Sequence, residues 1–234
     1  MQEYLLMLSA LVRYNVTLTL LAVAIALPIS CACAFARLSR IRWIALAMRI
    51  YVNTLRSMPL VMVMFWIYMI VPMISGHSLS AYWSALIALT CFEVAYFTEI
   101  VRAGVQSISS NQFAAAVATG LSRFQAARHV VVPQALQRML PALLTQSLIA
   151  FQDSTISSII GVPEMLQETT IINAREQAPV YYYALLAFTF LVICYGTSRI
   201  VRHMESRTRL GDARPHRRFP TQPSQQYLVE WTFP

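Results

Sequence analysis

Long uncharged stretches alternate with arginine-bearing connectors along this 234-residue chain. A helix needs about 20 residues to cross a hydrocarbon core of about 30 Å, and that length measures the pattern. Tyr14 to Ala36 lies uncharged between Arg13 and Arg37. The uncharged run from Ser57 to Phe92 is too long for one crossing; Pro72, Ser75, Gly76 and His77 divide it into a helix over about Pro59 to Ile74 and the start of another near Ala81. That next helix continues past Glu93 and Glu99 to about Val101. A fourth stretch covers about Leu140 to Ile160 with Asp153 inside it, and a fifth about Val180 to Ser198. The pattern predicts an all-α integral membrane protein of about five transmembrane helices with a helical cytoplasmic loop.

The arginines set the orientation, because positive loops stay on the cytoplasmic side. Arg37, Arg40, Arg42, Arg49 and Arg56 fall between spans one and two, Arg102, Arg123, Arg128 and Arg138 between spans three and four, and seven more follow span five. Only Arg13 and Arg175 fall on the other side, which predicts the N-terminus outside and the C-terminus inside. Ala32-Cys33-Ala34 resembles a signal-peptide cleavage site, but the apolar run before it is too long and the positive charge follows it instead of preceding it, so the segment reads as a retained span. Residues 1–13 read as a periplasmic segment, 14–202 as the transmembrane domain with a cytoplasmic loop over 104–139, and 203–234 as a basic, disordered cytoplasmic tail.

Composition narrows the function. The chain is 57% hydrophobic and only 12% charged, against about 25% charge in ordinary soluble domains. All 18 basic residues are arginine. Without lysine there is no Walker A phosphate loop and no Schiff-base chemistry within this chain, so a nucleotide-driven step requires a partner. Cys31, Cys33, Cys91 and Cys194 lie in spans without metal or disulfide spacing, and no protease motif occurs. The tail's arginines begin at the membrane edge, where topology and anionic lipid account for them better than nucleic acid does.

The connector between spans three and four is longer than a turn requires. Ser109, Ser110 and Asn111 offer N-caps. Ala114-Ala115-Ala116-Val117-Ala118-Thr119 offers a short helix with an almost side-chain-free face, Gly120 suits a left-handed stop, a second helical piece starts at Ser122, and Pro133 can open the next helix. Such a helix can approach another protein closely, or its alanines can simply favour helix.

The spacing of this loop resembles the EAA motif of ABC-transporter permeases in Ala115, Ala116, Gly120, Val130, Val132 and Pro133, with Ala114 at the position of the motif's leading glutamate. The resemblance covers about Tyr14 to Arg202 and narrows to the polar amino-acid uptake branch. It is carried by Leu55-Arg56-Ser57-Met58-Pro59-Leu60, by Ala95-Tyr96-Phe97-Thr98-Glu99-Ile100-Val101-Arg102-Ala103-Gly104, by Pro133-Gln134-Ala135 and by Gln152-Asp153-Ser154-Thr155. The wording of span two, Pro59-Leu60-Val61-Met62-Val63 with Trp66-Ile67-Tyr68 and Val71-Pro72, looks most like glutamate/aspartate permeases. The resemblance implies a multi-pass subunit of a bacterial inner-membrane importer that pairs with a second permease chain, identical or homologous. An ATP-binding subunit would dock at Ala114, Ala115, Ala116, Gly120, Val130, Val132 and Pro133 and hold ATP and Mg, and a periplasmic binding protein would deliver the amino acid. No cofactor, catalytic residue or metal ligand is expected in the chain itself.

Charge inside a membrane is costly and marks a pathway or a pair. Asp153 and Glu93 fall at similar depth in antiparallel spans, with Tyr96 on the same face as Glu93. Either Glu93, Tyr96, Gln152, Asp153, Ser154 and Thr155 line a substrate route, or Asp153 caps a helix break or pairs with an arginine of the neighbouring subunit. Glu99 and Arg102 at i, i+3 read as an ion pair at the helix exit, and Arg56 before Pro59 as an interfacial anchor. Two other classes compete with the importer: an ion-coupled secondary transporter using Glu93, Glu99 and Asp153, and a membrane scaffold whose loop recruits a cytoplasmic partner. A secondary transporter is often built from paired repeats, which this chain does not show.

Overall fold

A computed structural model describes residues 2–39 and 41–212, with side chains as far as residue 203. Among these residues every regular element is helical. The first three pieces, α1 (Gln2–Ala10), a π-helical stretch (Leu11–Val16) and α2 (Thr17–Arg37), form one helix over Gln2–Arg37. Residues 2–13, expected as a separate segment before the span, thus belong to the first helix. Arg13 stays exposed with its guanidinium over the Tyr14 ring, so its charge does not end the helix, while Met7 and Leu11 are buried against Phe151, Met165, Ile172 and Tyr182.

The second expected span is two helices, α3 (Arg42–Ser57) and α4 (Leu60–Ser75), bent by 106°. The residue before a proline is excluded from the α region, and Met58 and Pro59 are both extended. The helix before the break escaped the sequence reading because its arginines, Arg42, Arg49 and Arg56, resemble a loop when counted only as charge. They recur every seven residues on one face, while Tyr51 and Val52 turn inward.

The helix α5 (Ala81–Gln106) is the centre of the bundle. In its most apolar window 67% of residues are buried, against 33% in the first helix and 11% in the last. Leu18, Ala22, Leu60, Val63, Met64, Leu86, Leu89 and Phe92 join α2, α4 and α5 in one cluster, and Ala26, Val94 and Phe97 continue it toward the other end.

After α5 come α6 (Ser110–Ala118), α7 (Arg123–Ala126), a π-helical stretch (Ala127–Val131), α8 (Val132–Asp153), a 3-10 segment (Ser154–Ile160), α9 (Met165–Glu176) and α10 (Pro179–Asp212). Pro133 stands in the first turn of α8, but the chain is already helical there. Proline lacks the N–H for an i→i−4 bond and its ring crowds that carbonyl; the wider π turn just before it, where the Val132 N–H bonds to Ala127 O, relieves the crowding. The fourth expected span therefore begins upstream, at Val132, and its last turns tighten to 3-10 geometry. There Ser154, Thr155, Ser157 and Ser158 each donate a hydroxyl to the carbonyl three residues back, at 2.7 Å.

By length and apolar composition, three helices among the described residues can cross a membrane, Gln2–Arg37, Ala81–Gln106 and Pro179–His203, or four if the bent α3–α4 pair is one crossing. Helix α8 is long enough, at about 33 Å, but its glutamines, Arg138 and Asp153 keep it less apolar. The tail expected as disordered over 203–234 is helical as far as Asp212, continuing α10, and the rest of it lies outside the described residues.

Candidate functional site

Two regions hold the candidate residues: the loop at one end of the bundle and the polar groups inside it. The loop is built as its sequence suggests. Ser109 caps α6 by accepting from the Asn111 N–H at 3.3 Å, Gly120 has φ +94°, and Ser122 forms a reciprocal capping box with Gln125, at 2.9 and 3.3 Å. Its underside is fixed by Ile108, Val131 and Ala135, packed with Val105 and Phe113. Arg138 Nη1 donates to Ser107 O at 2.7 Å, and a Cβ on Gly104 would stand 2.9 Å from Met139 Cβ, so α5 and α8 cross in close contact where the loop emerges.

The outer surface of that loop is small and smooth. Ala114, Ala115 and Gly120 are exposed, Ala116 faces inward, Val130 is half-buried, and Val132 and Pro133 are exposed. Phe124, not singled out by the sequence reading, is 72% exposed one turn after Gly120. An aromatic side chain left in solvent beside a strip of alanines was the available signal.

Inside the bundle the expected residues separate into three directions. Glu93 is fully buried and accepts from Gln146 Nε2 at 3.2 and 3.3 Å, and the Asp153 carboxylate is close enough to act on it electrostatically. Tyr96 packs on Phe92 at 5.0 Å between ring centroids and lies under the Arg56 guanidinium at 5.3 Å. Gln152 is exposed and lines a groove with Phe190, Cys194 and Tyr195 of α10. Ser154 is buried and accepts a hydrogen bond from Asn15, while Thr155 is half-buried. Asp153 stands at the junction of α8 and the 3-10 segment, and its side chain does not cap that break.

Asn15 was missed altogether. From inside the π turn of the first helix its amide nitrogen donates to Ser154 Oγ and Glu164 Oε2, both at 3.0 Å, and its oxygen accepts from the Met165 N–H at 3.2 Å; Glu164 in turn caps α9. These partners are 139 to 150 residues away, beyond any local pattern. At the other end Glu99 pairs with Arg102, as its spacing suggests, and also with Arg37, which the sequence placed in a connector. Pro59 enters α4 in extended geometry.

An all-helical bundle with membrane-length helices, buried carboxylates and an alanine-surfaced loop at one end has the make-up of a polytopic membrane protein. Residues 6–210 match the binding-protein-dependent transport system inner membrane component family, and the chain belongs to it. It is 36% identical over 179 residues to the glutamate/aspartate import permease protein GltK of Escherichia coli O6:H1, covering 74% of this chain and 80% of that one. It is 32% identical to the probable glutamine ABC transporter permease protein GlnP of Bacillus subtilis, covering 73% and 79%. A crystal structure of an amino acid ABC transporter with histidines superposes with a TM-score of 0.82 at 29% identity, over 88% of this chain and 95% of that one. The chain is a multi-pass permease component of an ABC transporter, a transport subunit and not an enzyme. The family works with an ATP-binding subunit and a binding protein.

Proposed function

We propose that this chain is the membrane-spanning subunit of an ATP-driven importer of a polar amino acid, with glutamate and aspartate as its substrates, in a bacterial inner membrane. The observation that carries the docking part is the outer face of α6: Ala114 and Ala115 exposed, Gly120 left-handed, and the underside locked to α5 and α8. A strip with almost no side chains admits close approach of a partner's groove. The acidic substrates rest on the 36% identity to a glutamate/aspartate permease.

In this reading the N-terminus lies outside and the C-terminus inside, following the arginine distribution. A second permease chain, identical or homologous, completes the pathway; a periplasmic binding protein delivers the amino acid; lipid surrounds the rest. ATP and Mg bind on the partner ATPase. Closure of two ATPase subunits on ATP pulls α6 and the residues around Pro133, and the bundle alternates between outward and inward openings as a rigid-body switch. Glu93, Tyr96, Asp153 and Thr155 contribute to the route, while Arg56, Glu99 and Arg102 hold the cytoplasmic side.

The test is ATPase activity of the complex that co-purifies with this chain, reconstituted with its binding protein and titrated with glutamate, aspartate, glutamine and histidine. Stimulation by the acidic pair is the expected result. Stimulation by another amino acid keeps the importer and replaces the substrate, and transport driven by an ion gradient with no associated ATPase overturns the reading.

A further inference from the structure

Helix α10 is the least covered of the three membrane-length helices, with only 11% of its most apolar window buried. Tyr181, Tyr182 and Tyr183 stand near one end of that stretch, and Tyr195, Arg199 and Arg202 near the other. From Tyr182 to Arg199 is about 25 Å of helix, close to the thickness of a hydrocarbon core. Tyrosines at both ends match the aromatic belts where a membrane meets water. Phe188, Leu191 and Val192 are exposed between them and suit contact with acyl chains.

A groove runs along α10 beside the end of α8. Gln152, Leu191 and Cys194 line one end of it, and Tyr195, Ser198 and Arg202 the other. Leu191, Tyr195 and Arg202 fall within about 40° of one another around a helix of 3.6 residues per turn, so they form one stripe. From Leu191 to Arg202 the stripe is about 17 Å long, roughly half of a core of about 30 Å, which is the depth of one leaflet.

At the arginine end a second hollow opens among Tyr195, Arg199, Arg202 and His203, sharing Tyr195 and Arg202 with the groove. The Arg199 guanidinium lies over the Tyr195 ring at 5.6 Å, which holds it in place without neutralising it. Among the residues with described side chains, neither arginine has an ion-pair partner. The sequence from Ser198 to Asp212 carries Arg199, Arg202, Arg207 and Arg209 against Glu205 and Asp212, so the positive excess persists along the helix. Guanidinium groups match phosphate oxygens through paired hydrogen bonds. An apolar groove one leaflet long that opens onto such a hollow has the shape and charge of an amphiphile's counterpart.

We propose that this face of α10 binds one anionic phospholipid, with its phosphate held by Arg199 and Arg202 and one acyl chain lying in the groove toward Leu191. A second copy of the chain fits the face less well, because a two-fold contact through it sets arginine against arginine. The arginine distribution that orients the protein puts the headgroup in the cytoplasmic leaflet, whose anionic lipids attract basic segments. The site needs only the membrane placement of α10 and is independent of which substrate is carried.

The experiment is native mass spectrometry of the purified permease complex, cleared of lipid in detergent and titrated with phosphatidylglycerol or with phosphatidylethanolamine of the same acyl chains. The wild type is expected to bind phosphatidylglycerol about tenfold more tightly. Arg199→Gln with Arg202→Gln should weaken phosphatidylglycerol fivefold or more and leave phosphatidylethanolamine unchanged, whereas Arg13→Gln with Arg175→Gln, which removes the same charge elsewhere, should change neither. Ser198→Trp, which fills the groove and keeps both arginines, should also weaken phosphatidylglycerol. Equal affinity of the wild type for the two lipids, or unchanged phosphatidylglycerol binding in the Arg199 and Arg202 variant, overturns the assignment. Displacement of the lipid by an equal concentration of glycerol 3-phosphate, which has the phosphate and no chains, removes the groove from the site and overturns it as well. A Ser198→Trp complex that loses a permease chain and keeps its lipid affinity gives the face to a second copy instead. Should the double arginine variant fail to assemble, Arg202→Gln alone decides, selective loss of phosphatidylglycerol supporting the site and wild-type binding overturning it.

Discussion

Glu99 and Arg37, 62 residues apart, form an ion pair between α5 and the end of α2, and the same carboxylate also holds Arg102. All three side chains are between 12% and 23% exposed, so the charges are largely shielded from water. One anion between two cations makes the cost of substitution asymmetric. Glu99→Gln leaves two arginines without their counter-charge and should cost about 1–3 kcal/mol. Arg37→Gln leaves Glu99 paired with Arg102 and should cost less. Thermal unfolding in detergent checks the order: the Glu99 variant melts lower than the Arg37 variant.

At Gly120, a Cβ meets nothing within 4 Å, yet φ is +94°. The penalty for Gly120→Ala is thus conformational, about 1–2 kcal/mol, and the complex should still assemble. Gly120→Arg adds a long side chain to the exposed docking surface and should lower the amount of co-purifying ATPase or its stimulation well below that of Gly120→Ala. Equal behaviour of the two variants, measured by pull-down and ATPase assay, would place the contact elsewhere.

Gly104→Ala places a Cβ 2.9 Å from Met139 Cβ and 3.2 Å from its sulfur. Overpacking of this kind costs about 1–3 kcal/mol. Because the tightest contact is with a Cβ fixed to the backbone, Met139→Ala should recover only part of the loss. Melting curves of the two single variants and the double variant give the coupling directly.

Asn15→Ala removes donors from Ser154 and Glu164 and the acceptor of the Met165 N–H. Buried groups left without partners cost about 1–3 kcal/mol each. The expected result is faster amide hydrogen exchange across 164–176, measured by mass spectrometry, with α6 unaffected.

The sequence reading succeeded where the controlling physics is local. The loop's Ser109 and Ser122 caps and the left-handed Gly120 are decided within a few residues, and the stretches starting near Tyr14, Ala81 and Val180 combine the length and the apolar composition that a bilayer crossing needs. It failed where partners are distant in sequence. Helix α3 was hidden because arginines were counted as topology markers, although Tyr51 and Val52 between them turn inward. Helix α9 is polar and short, and its anchors, Met165 and Glu164, depend on Met7 and Asn15 at the other end of the chain. Of the polar residues expected to converge, Glu93 and Asp153 come near each other, whereas Ser154 turns to Asn15 and Gln152 to α10. On a helix of 3.6 residues per turn, adjacent residues point about 100° apart, so a polar tetrapeptide cannot all face one path.

The break at Met58 and Pro59 also bears on permeability. Helix α4 spans about 24 Å, less than the hydrocarbon core, and its first N–H groups open onto an extended stretch beside Arg56. Irregular backbone is stable at this depth only where protein or water satisfies it. The break therefore has to be covered by protein or water instead of lipid, and Leu60, Val63, Leu86 and Leu89 pack the bundle next to it.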